Sequence, residues 1–201
     1  LKLEKQSVTK ISKFSLLSLV IGLSGIILAS SDRILIGNLL DDGDYFLGIY
    51  AVHYQLFSYY IDILIGIFFI YIPNYLYVKY ENYGIKSYLL GLRFTIDWFI
   101  SVATYFLVLI MLGHGALSHI MFDDSYLQYT KLALYIVVGQ YYFGVYLVLA
   151  NYFIVVNKRL VVTVLLLFFG LVNVGLNFVF IPTYGFMVAA ITTMLCYFCL
   201  F

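Results

Sequence analysis

Apolar runs of about 20 residues follow one another along this chain, and few charged residues interrupt them. A helix that crosses the hydrocarbon core of a bilayer needs about 20 mostly apolar residues. The chain has 201 residues, of which 64% are hydrophobic and only 10% are charged. Soluble domains carry about 25% charged residues, so this chain has too little polar surface to coat a water-soluble globule. The sequence therefore predicts an all-α integral membrane protein.

Six runs are predicted as membrane spans. They cover roughly Phe14–Leu40, Gly48–Tyr71, Tyr88–Gly113, Tyr129–Val156, Leu160–Ile181 and Phe186–Phe201. Pro73 is expected to close the second span, because proline lacks a backbone donor. The sixth run reaches only about 24 Å as a helix, against a hydrocarbon core of about 30 Å. We therefore expect residues 1–201 to form a single membrane domain, a fragment whose last span is truncated.

Charged residues in the predicted loops alternate in sign. The amino-terminal segment, the loop between the second and third spans, and the turn after the fourth span are basic, with Lys2, Lys5, Lys10, Lys13, Lys79, Lys86, Lys158 and Arg159. The other loops are acidic and hold Asp41, Asp42, Asp44, Asp123 and Asp124, with Lys131 as the basic exception. Cytoplasmic loops carry an excess of Lys and Arg. We therefore predict a cytoplasmic amino-terminal segment.

A tight reversal is predicted between the fifth and sixth spans, at Pro182-Thr183-Tyr184-Gly185. Proline disfavours helix continuation, and glycine adopts the positive φ that a sharp turn needs. Small side chains let neighbouring helices approach closely in lipid. By this rule we expect close helix contacts at Gly22 and Gly25 and after the turn, at Ala189, Ala190, Thr192 and Thr193.

Two stretches of the sequence resemble a known family. Leu176–Tyr197 reads LNFVFIPTYGFMVAAITTMLCY, with a hydrophobic-Asn step, Ile-Pro-x-Tyr-Gly and Ala-Ala-x-x-Thr. Ser30–Val52 reads SSDRILIGNLLDDGDYFLGIYAV, with Asp-Arg-x-x-Ile-Gly, an acidic linker and Gly-x-Tyr. Both resemble polysaccharide biosynthesis proteins, the Wzx-type oligosaccharide-lipid flippases of the multidrug/oligosaccharidyl-lipid/polysaccharide exporter superfamily.

The resemblance implies that the chain is the C-terminal six-helix lobe of a twelve-helix, two-lobe transporter in the bacterial cytoplasmic membrane. It implies translocation of undecaprenyl-pyrophosphate-linked oligosaccharide for O-antigen, capsule or exopolysaccharide biosynthesis. The implied partners are this lipid-linked oligosaccharide, the bilayer, the N-terminal lobe of the same protein and the polysaccharide assembly machinery. The net charge of +1 gives no reason to expect a nucleic acid partner.

Two other functions remain open from the sequence, besides a purely structural membrane subunit, which would not need Asp62 and Arg93 inside the membrane. The first is a cation-coupled multidrug exporter of the same superfamily, whose cavity favours carboxylates over arginines. The second is an integral-membrane polysaccharide polymerase or ligase, an enzyme that generally needs a large outer loop to hold sugars. The sequence contains no phosphate-cradling glycine loop, nucleophile elbow or metal-spaced His/Cys set. We therefore expect no enzyme activity, no catalytic residue, no metal site and no cofactor other than a coupling H⁺ or Na⁺.

Ionisable residues inside the predicted spans are the first candidates for function, because charge in hydrocarbon is expensive. Asp62 and Asp97 are placed at similar depth, and with Arg93 they are predicted to line a polar cavity open to the cytoplasm. There Arg93 would meet the phosphates of the substrate, and a carboxylate would bind the coupling cation. Alternatively, Arg93 and Asp97 neutralise each other one helical turn apart. Asp32 and Arg33 are either cavity residues or an interfacial pair tied to other helices.

Uncharged polar residues in the later spans are weaker candidates. Asn173 and Asn177 share one face of the fifth span, and Gln140 lies in the fourth. Amide side chains either join helices to one another or bind sugar. The 21 tyrosines are attributed to belts at the membrane interfaces.

Overall fold

The computed structural model describes residues 5–156 and 158–201, and the regular structure in these ranges is entirely helical. The helices are α1 Lys5–Leu39, α2 Gly43–Met121, α3 Asp124–Leu127, α4 Leu132–Val155, α5 Arg159–Tyr184 and α6 Met187–Leu200. By length and composition, α2, α4, α5 and the Ser18–Leu39 part of α1 could each cross a membrane, and α6 is a shorter apolar helix. The all-α class is confirmed for the described residues, and the apolar helices indicate a membrane protein.

Helix α2 consists of two antiparallel legs that meet at Gly84. This residue has φ 75° and ψ −173°, a conformation that side-chain-bearing residues rarely adopt. The rings of Phe68 and Phe99 lie 5.1 Å apart, and those of Tyr80 and Tyr88 lie 6.2 Å apart. Both pairings are centred on Gly84. We call residues 43–121 the α2 hairpin.

Two predicted helix ends are wrong. Pro73 lies inside the first leg of the α2 hairpin, which continues for several turns beyond it. Pro182 lies inside α5, which ends at Tyr184, whereas the predicted reversal with a positive φ at Gly185 is confirmed, with φ 79°. Prolines are tolerated inside membrane helices because neighbouring groups and local adjustments satisfy the freed carbonyl groups.

The turns between helices gather at two ends of the bundle. The ring of Phe186 stacks on Phe46 at 4.9 Å and meets Tyr129 edge-on at 5.0 Å, which brings three turns together. We call this the acidic end, since its turns carry Asp41, Asp42, Asp44, Asp123 and Asp124.

At the opposite end, the tip of the α2 hairpin and the turn between α4 and α5 flank one cavity, which Tyr80 and Arg159 both line. We call it the basic end, with Lys79, Lys86, Lys158 and Arg159 beside the single acidic Glu81. The alternation of charge along the sequence is therefore a separation of charge between two ends. Lys2 lies outside the described residues, as do the side chains of Lys5, Lys10 and Lys13.

Glycine allows α4 to pack closely against its neighbours α2 and α6. A Cβ at Gly144 would lie 2.6 Å from the ring of Phe99, and one at Gly139 would lie 3.2 Å from the α6 backbone. The predicted close contacts at Gly22 and Gly25 are not found, because a Cβ at either position would meet no atom of the described residues within 4 Å. The small residues of α6 are buried as predicted: Ala189, Ala190, Thr192 and Thr193.

Candidate functional site: a polar core inside the bundle

Polar side chains from five helices meet inside the otherwise apolar bundle. Buried polar groups need internal partners, because they have lost their hydrogen bonds to water. We call this set the polar core, and it comprises Ser31, Asp32, Arg33, Tyr50, Tyr54, Gln140, Asn173, Asn177, Thr192, Thr193 and Tyr197. Four of its members are candidates from the sequence whose side chains are buried: Asp32, Gln140, Asn173 and Asn177.

Asp32 of α1 is the buried carboxylate of the polar core, with no exposed surface. The hydroxyl of Tyr50, on α2, donates to its Oδ2. The backbone N–H of Arg33 donates to its Oδ1 at 2.8 Å. Among the described residues, no lysine or arginine side chain forms an ion pair with Asp32. The Asp32 carboxylate therefore accepts its hydrogen bonds from two neutral groups, the Tyr50 hydroxyl and the Arg33 backbone.

The side chain of Arg33 lies against Tyr54. Its guanidinium carbon lies 4.8 Å from the centre of the Tyr54 ring, a distance typical of a cation–π contact. The amide of Gln140 donates to the Tyr54 hydroxyl at 2.7 Å, and Tyr54 also shares a hydrogen bond with Tyr197. This chain of contacts connects α1, α2, α4 and α6. Adjacent residues on a helix do not face each other, which explains why Asp32 and Arg33 find separate partners.

Asn173 and Asn177 of α5 connect α1 to α6. Ser31 donates to Oδ1 of Asn173 at 3.3 Å, and the Asn177 amide donates to the same oxygen at 3.2 Å. The Asn173 amide donates to Thr193 at 3.0 Å, and the Thr192 hydroxyl donates to Asn177. The two amide side chains therefore form hydrogen bonds that join α5 to α1 and to α6, the contact expected of amides between helices. Because Ser31 adjoins Asp32, both parts of the polar core are continuous along α1.

A polar stripe on α2 leads out of the polar core. Tyr50, Tyr54, Ser58 and Asp62 recur every four residues, which places them on one face of the helix. Tyr50, Tyr54 and Ser58 are buried, whereas Asp62 is exposed and contacts Ser58. Asp62 also interacts electrostatically with Tyr54 and Tyr197. The stripe therefore links the buried carboxylate of Asp32 to an exposed carboxylate.

The three charged candidates on the α2 hairpin are not brought together. Asp62, Arg93 and Asp97 are exposed, and in the described part of the chain no ion pair joins Arg93 to Asp97. Because the first leg continues past Pro73, Asp62 lies about nine residues farther from Gly84 than Asp97 does. This offset is roughly 14 Å along the helix, so the predicted similar depth of the two carboxylates is wrong. The cavity that the three residues would line stays a prediction.

Sequence reasoning missed the tyrosines of the polar core by attributing all tyrosines to the interfacial belts. Tyr50 and Tyr54 are spaced i, i+4 in an apolar segment, so they share a face and could have been paired with the Asp32-Arg33 step. Tyr197 lies well inside the last apolar run, away from any predicted interface. A position inside a span, rather than at its end, is the signal that was available for Tyr54 and Tyr197, whereas Tyr50 lies at the start of the second predicted span.

Comparisons with known proteins leave the family of this chain open. No protein-family model, no curated protein and no solved structure matches it. The likeness to polysaccharide exporters therefore rests on the sequence stretches Ser30–Val52 and Leu176–Tyr197.

Proposed function

We propose that this chain is one lobe of a two-lobe transporter that moves lipid-linked oligosaccharide across the bacterial cytoplasmic membrane. In this proposal six segments cross the bilayer: α1, both legs of the α2 hairpin, α4, α5 and α6. The reversal at Gly84 supports counting the two legs separately. The separation of acidic and basic ends supports a cytoplasmic basic end, since Lys and Arg are enriched in cytoplasmic loops.

The polar core is the observation that carries the proposal. Burying a carboxylate among neutral donors costs stability, so a helix bundle that only filled space in the membrane would gain nothing from Asp32. The two stretches that resemble polysaccharide exporters contain most of the polar core. Ser30–Val52 holds Ser31, Asp32, Arg33 and Tyr50, and Leu176–Tyr197 holds Asn177, Thr192, Thr193 and Tyr197.

The proposed cargo is an undecaprenyl-pyrophosphate-linked oligosaccharide, whose diphosphate and sugars cannot enter hydrocarbon unaided. The exposed guanidinium of Arg93 binds the diphosphate, since arginine matches phosphate oxygens with two parallel hydrogen bonds. The head crosses in a wet cavity between this lobe and its partner lobe, and the lipid tail stays in the bilayer. Alternating access rocks the two lobes around this cavity.

A coupling cation, H⁺ or Na⁺, provides the driving force in this proposal. Its binding site is Asp32, the buried carboxylate of the polar core, which forms no ion pair among the described residues. Cation binding at Asp32 alters its hydrogen bond with Tyr50, and the polar stripe carries this change along α2 to Asp62 at the cavity. A ligand shifts a conformational equilibrium only through different affinities for the two states. Loss of the Tyr50 contact on cation binding would supply that difference.

A cation-coupled multidrug exporter of the same superfamily is the second candidate. The exposed face of the α2 hairpin carries two carboxylates, Asp62 and Asp97, and one guanidinium, Arg93. This balance of charge suits a cationic drug as well as it suits a phosphate. A polymerase or ligase has less support, since the described segment between α2 and α4 holds only the single-turn α3.

Replacing Arg93 tests the proposed cargo. In cells that depend on the full protein, we expect Arg93→Gln to abolish surface polysaccharide and to accumulate lipid-linked oligosaccharide, with the protein level in the membrane unchanged. Lys86→Gln removes one positive charge from an exposed residue at the hairpin tip. It is the matched control and should export normally. Normal export by Arg93→Gln would refute the role of Arg93. Increased drug sensitivity with unaltered lipid-linked oligosaccharide would favour the multidrug exporter.

A further inference from the structure

A cavity of about 420 Å³ lies at the basic end, away from the polar core. It is enclosed by the tip of the α2 hairpin, the last turns of α4 and the start of α5. Its volume falls within the range of about 300–1,000 Å³ that is usual for small-molecule sites. Its polar lining consists of Asn74, Tyr77, Tyr80, Tyr88, Asn151 and Arg159. We call it the basic-end cavity.

Tyr88 is the strongest indication that the basic-end cavity receives a ligand. Its side chain is completely buried, and its hydroxyl has no hydrogen-bond partner among the described residues. A buried hydroxyl without a partner is destabilising, so such groups in native structures call for an explanation. Tyr88 is one of the residues that line the cavity, which makes a ligand there the candidate partner for its hydroxyl.

The lining of the cavity favours an anion. Arg159 is the charged residue in the lining, and no carboxylate contributes to it. Glu81, the acidic residue of the hairpin tip, is the hydrogen-bond partner of Tyr77. A guanidinium together with phenol donors matches the oxygens of a phosphate group. Arg159 is also the first residue of α5, and the amino-terminal N–H groups of a helix favour an anion too.

The same cavity has an apolar wall. Leu76, Ile154 and Val155 complete the lining beside the polar groups. A free phosphate ion would leave this wall without a partner, whereas the glycerol and upper acyl carbons of a lipid would cover it. Lys79, Lys86 and Lys158 surround the site at the same end, and clustered basic residues at a membrane surface attract anionic lipids.

We propose that the basic-end cavity binds the phosphate group of an anionic membrane lipid. The headgroup phosphate accepts hydrogen bonds from Arg159 and Tyr88, and the glycerol backbone rests on the apolar wall. A lipid in this position fastens the hairpin tip to the α4–α5 turn. The site is separate from the polar core, so it does not depend on the cargo proposed above.

Native mass spectrometry of the full chain tests the site. The protein is purified in neutral detergent and titrated with phosphatidylglycerol, with zwitterionic phosphatidylcholine, or with inorganic phosphate. We expect phosphatidylglycerol to bind about tenfold more tightly than phosphatidylcholine, and inorganic phosphate to compete only weakly. Equal binding of the two lipids would overturn the proposal. Inorganic phosphate that binds as tightly as phosphatidylglycerol would overturn the assignment to a lipid.

Three variants locate the binding. Arg159→Gln should weaken phosphatidylglycerol binding about tenfold, and Tyr88→Phe should weaken it severalfold, roughly as expected for loss of one hydrogen bond. Lys158→Gln removes the same charge from an exposed neighbour outside the lining and should weaken binding much less than Arg159→Gln does. Tyr88→Phe should keep its thermal stability without lipid, because the deleted hydroxyl has no partner among the described residues. Wild-type binding by both cavity variants, or equal losses in Arg159→Gln and Lys158→Gln, would contradict the site.

Discussion

The hydroxyl of Tyr50 holds the buried carboxyl group of Asp32, and its removal has a predictable cost. Tyr50→Phe leaves Oδ2 of Asp32 without its donor, in a site that water does not reach. We expect a loss of about 1–3 kcal/mol in the free energy of unfolding, measured as a lower Tm in detergent. Tyr45→Phe, at a more than half-exposed tyrosine in the same helix, is the control and should change little. A Tyr50→Phe protein as stable as the control would show that the hydrogen bond contributes nothing.

A substitution at Asp32 distinguishes a cation-binding role of its carboxylate from a purely structural role. Asp32→Asn keeps the shape of the side chain and one of the two acceptor oxygens, so it retains at most one of the hydrogen bonds from Tyr50 and Arg33 in the present geometry, and it can no longer bind a proton or a metal cation as a carboxylate does. We expect export to be lost, with the variant still folded, because an ionisable residue inside the membrane is retained for function. Asp44→Asn, exposed at the acidic end, is the matched control. Wild-type export by Asp32→Asn would exclude a cation-binding role.

For single residues, the sequence predicts membership of the polar core better than it predicts which side chains contact each other there. The cost of burying polar groups in hydrocarbon singles out Asp32, Asn173, Asn177 and Gln140, which are buried, but it also singles out Asp62, Arg93 and Asp97, which are exposed. The tyrosines that complete the polar core were missed, because the usual interfacial role of tyrosine hides the few that lie inside a bundle. The contact between Arg33 and Tyr54 depends on how two helices rotate against each other, which spacing within one helix does not reveal.

Among the elements, the α2 hairpin differs most from its prediction. A loop was expected across residues 72–87, because prolines end helices in water-soluble proteins. In the structure the helix continues past Pro73, and the chain reverses at Gly84 alone. Proline marks a helix end only where the freed carbonyl group can reach water, and membrane helices satisfy it in other ways. This extension of the first leg also moves Asp62 away from the depth of Asp97.

Gly84 should therefore be intolerant of a side chain. Its φ of 75° with ψ near 180° is a region populated almost only by glycine. We expect Gly84→Ala to lower the free energy of unfolding by about 1–3 kcal/mol, seen as a lower Tm in detergent. Gly113→Ala is the control, since a Cβ there meets no atom within 4 Å and alanine favours helix. Equal melting temperatures for the two variants would contradict the strained reversal.

For the whole molecule, the separation of charge was predictable from the sequence and the packing behind it was not. The signs of loop charges alternate along the chain, and the ring contacts of Phe186 with Phe46 and Tyr129 bring the acidic turns together. The closest approaches of helices depend on three-dimensional neighbours, as Gly144 against Phe99 shows. A search for small residues in the sequence alone therefore chose Gly22 and Gly25 instead.

Cysteine accessibility in intact cells tests most directly whether the two ends lie on opposite sides of a membrane. In a background lacking Cys196 and Cys199, single substitutions are made at the acidic end, Asp42→Cys and Asp123→Cys, and at the basic end, Lys86→Cys and Lys158→Cys. A membrane-impermeant maleimide should label the acidic-end cysteines in intact cells and the basic-end cysteines only after permeabilisation. Labelling of Lys86→Cys together with Asp42→Cys before permeabilisation would contradict the topology and the transport function proposed from it.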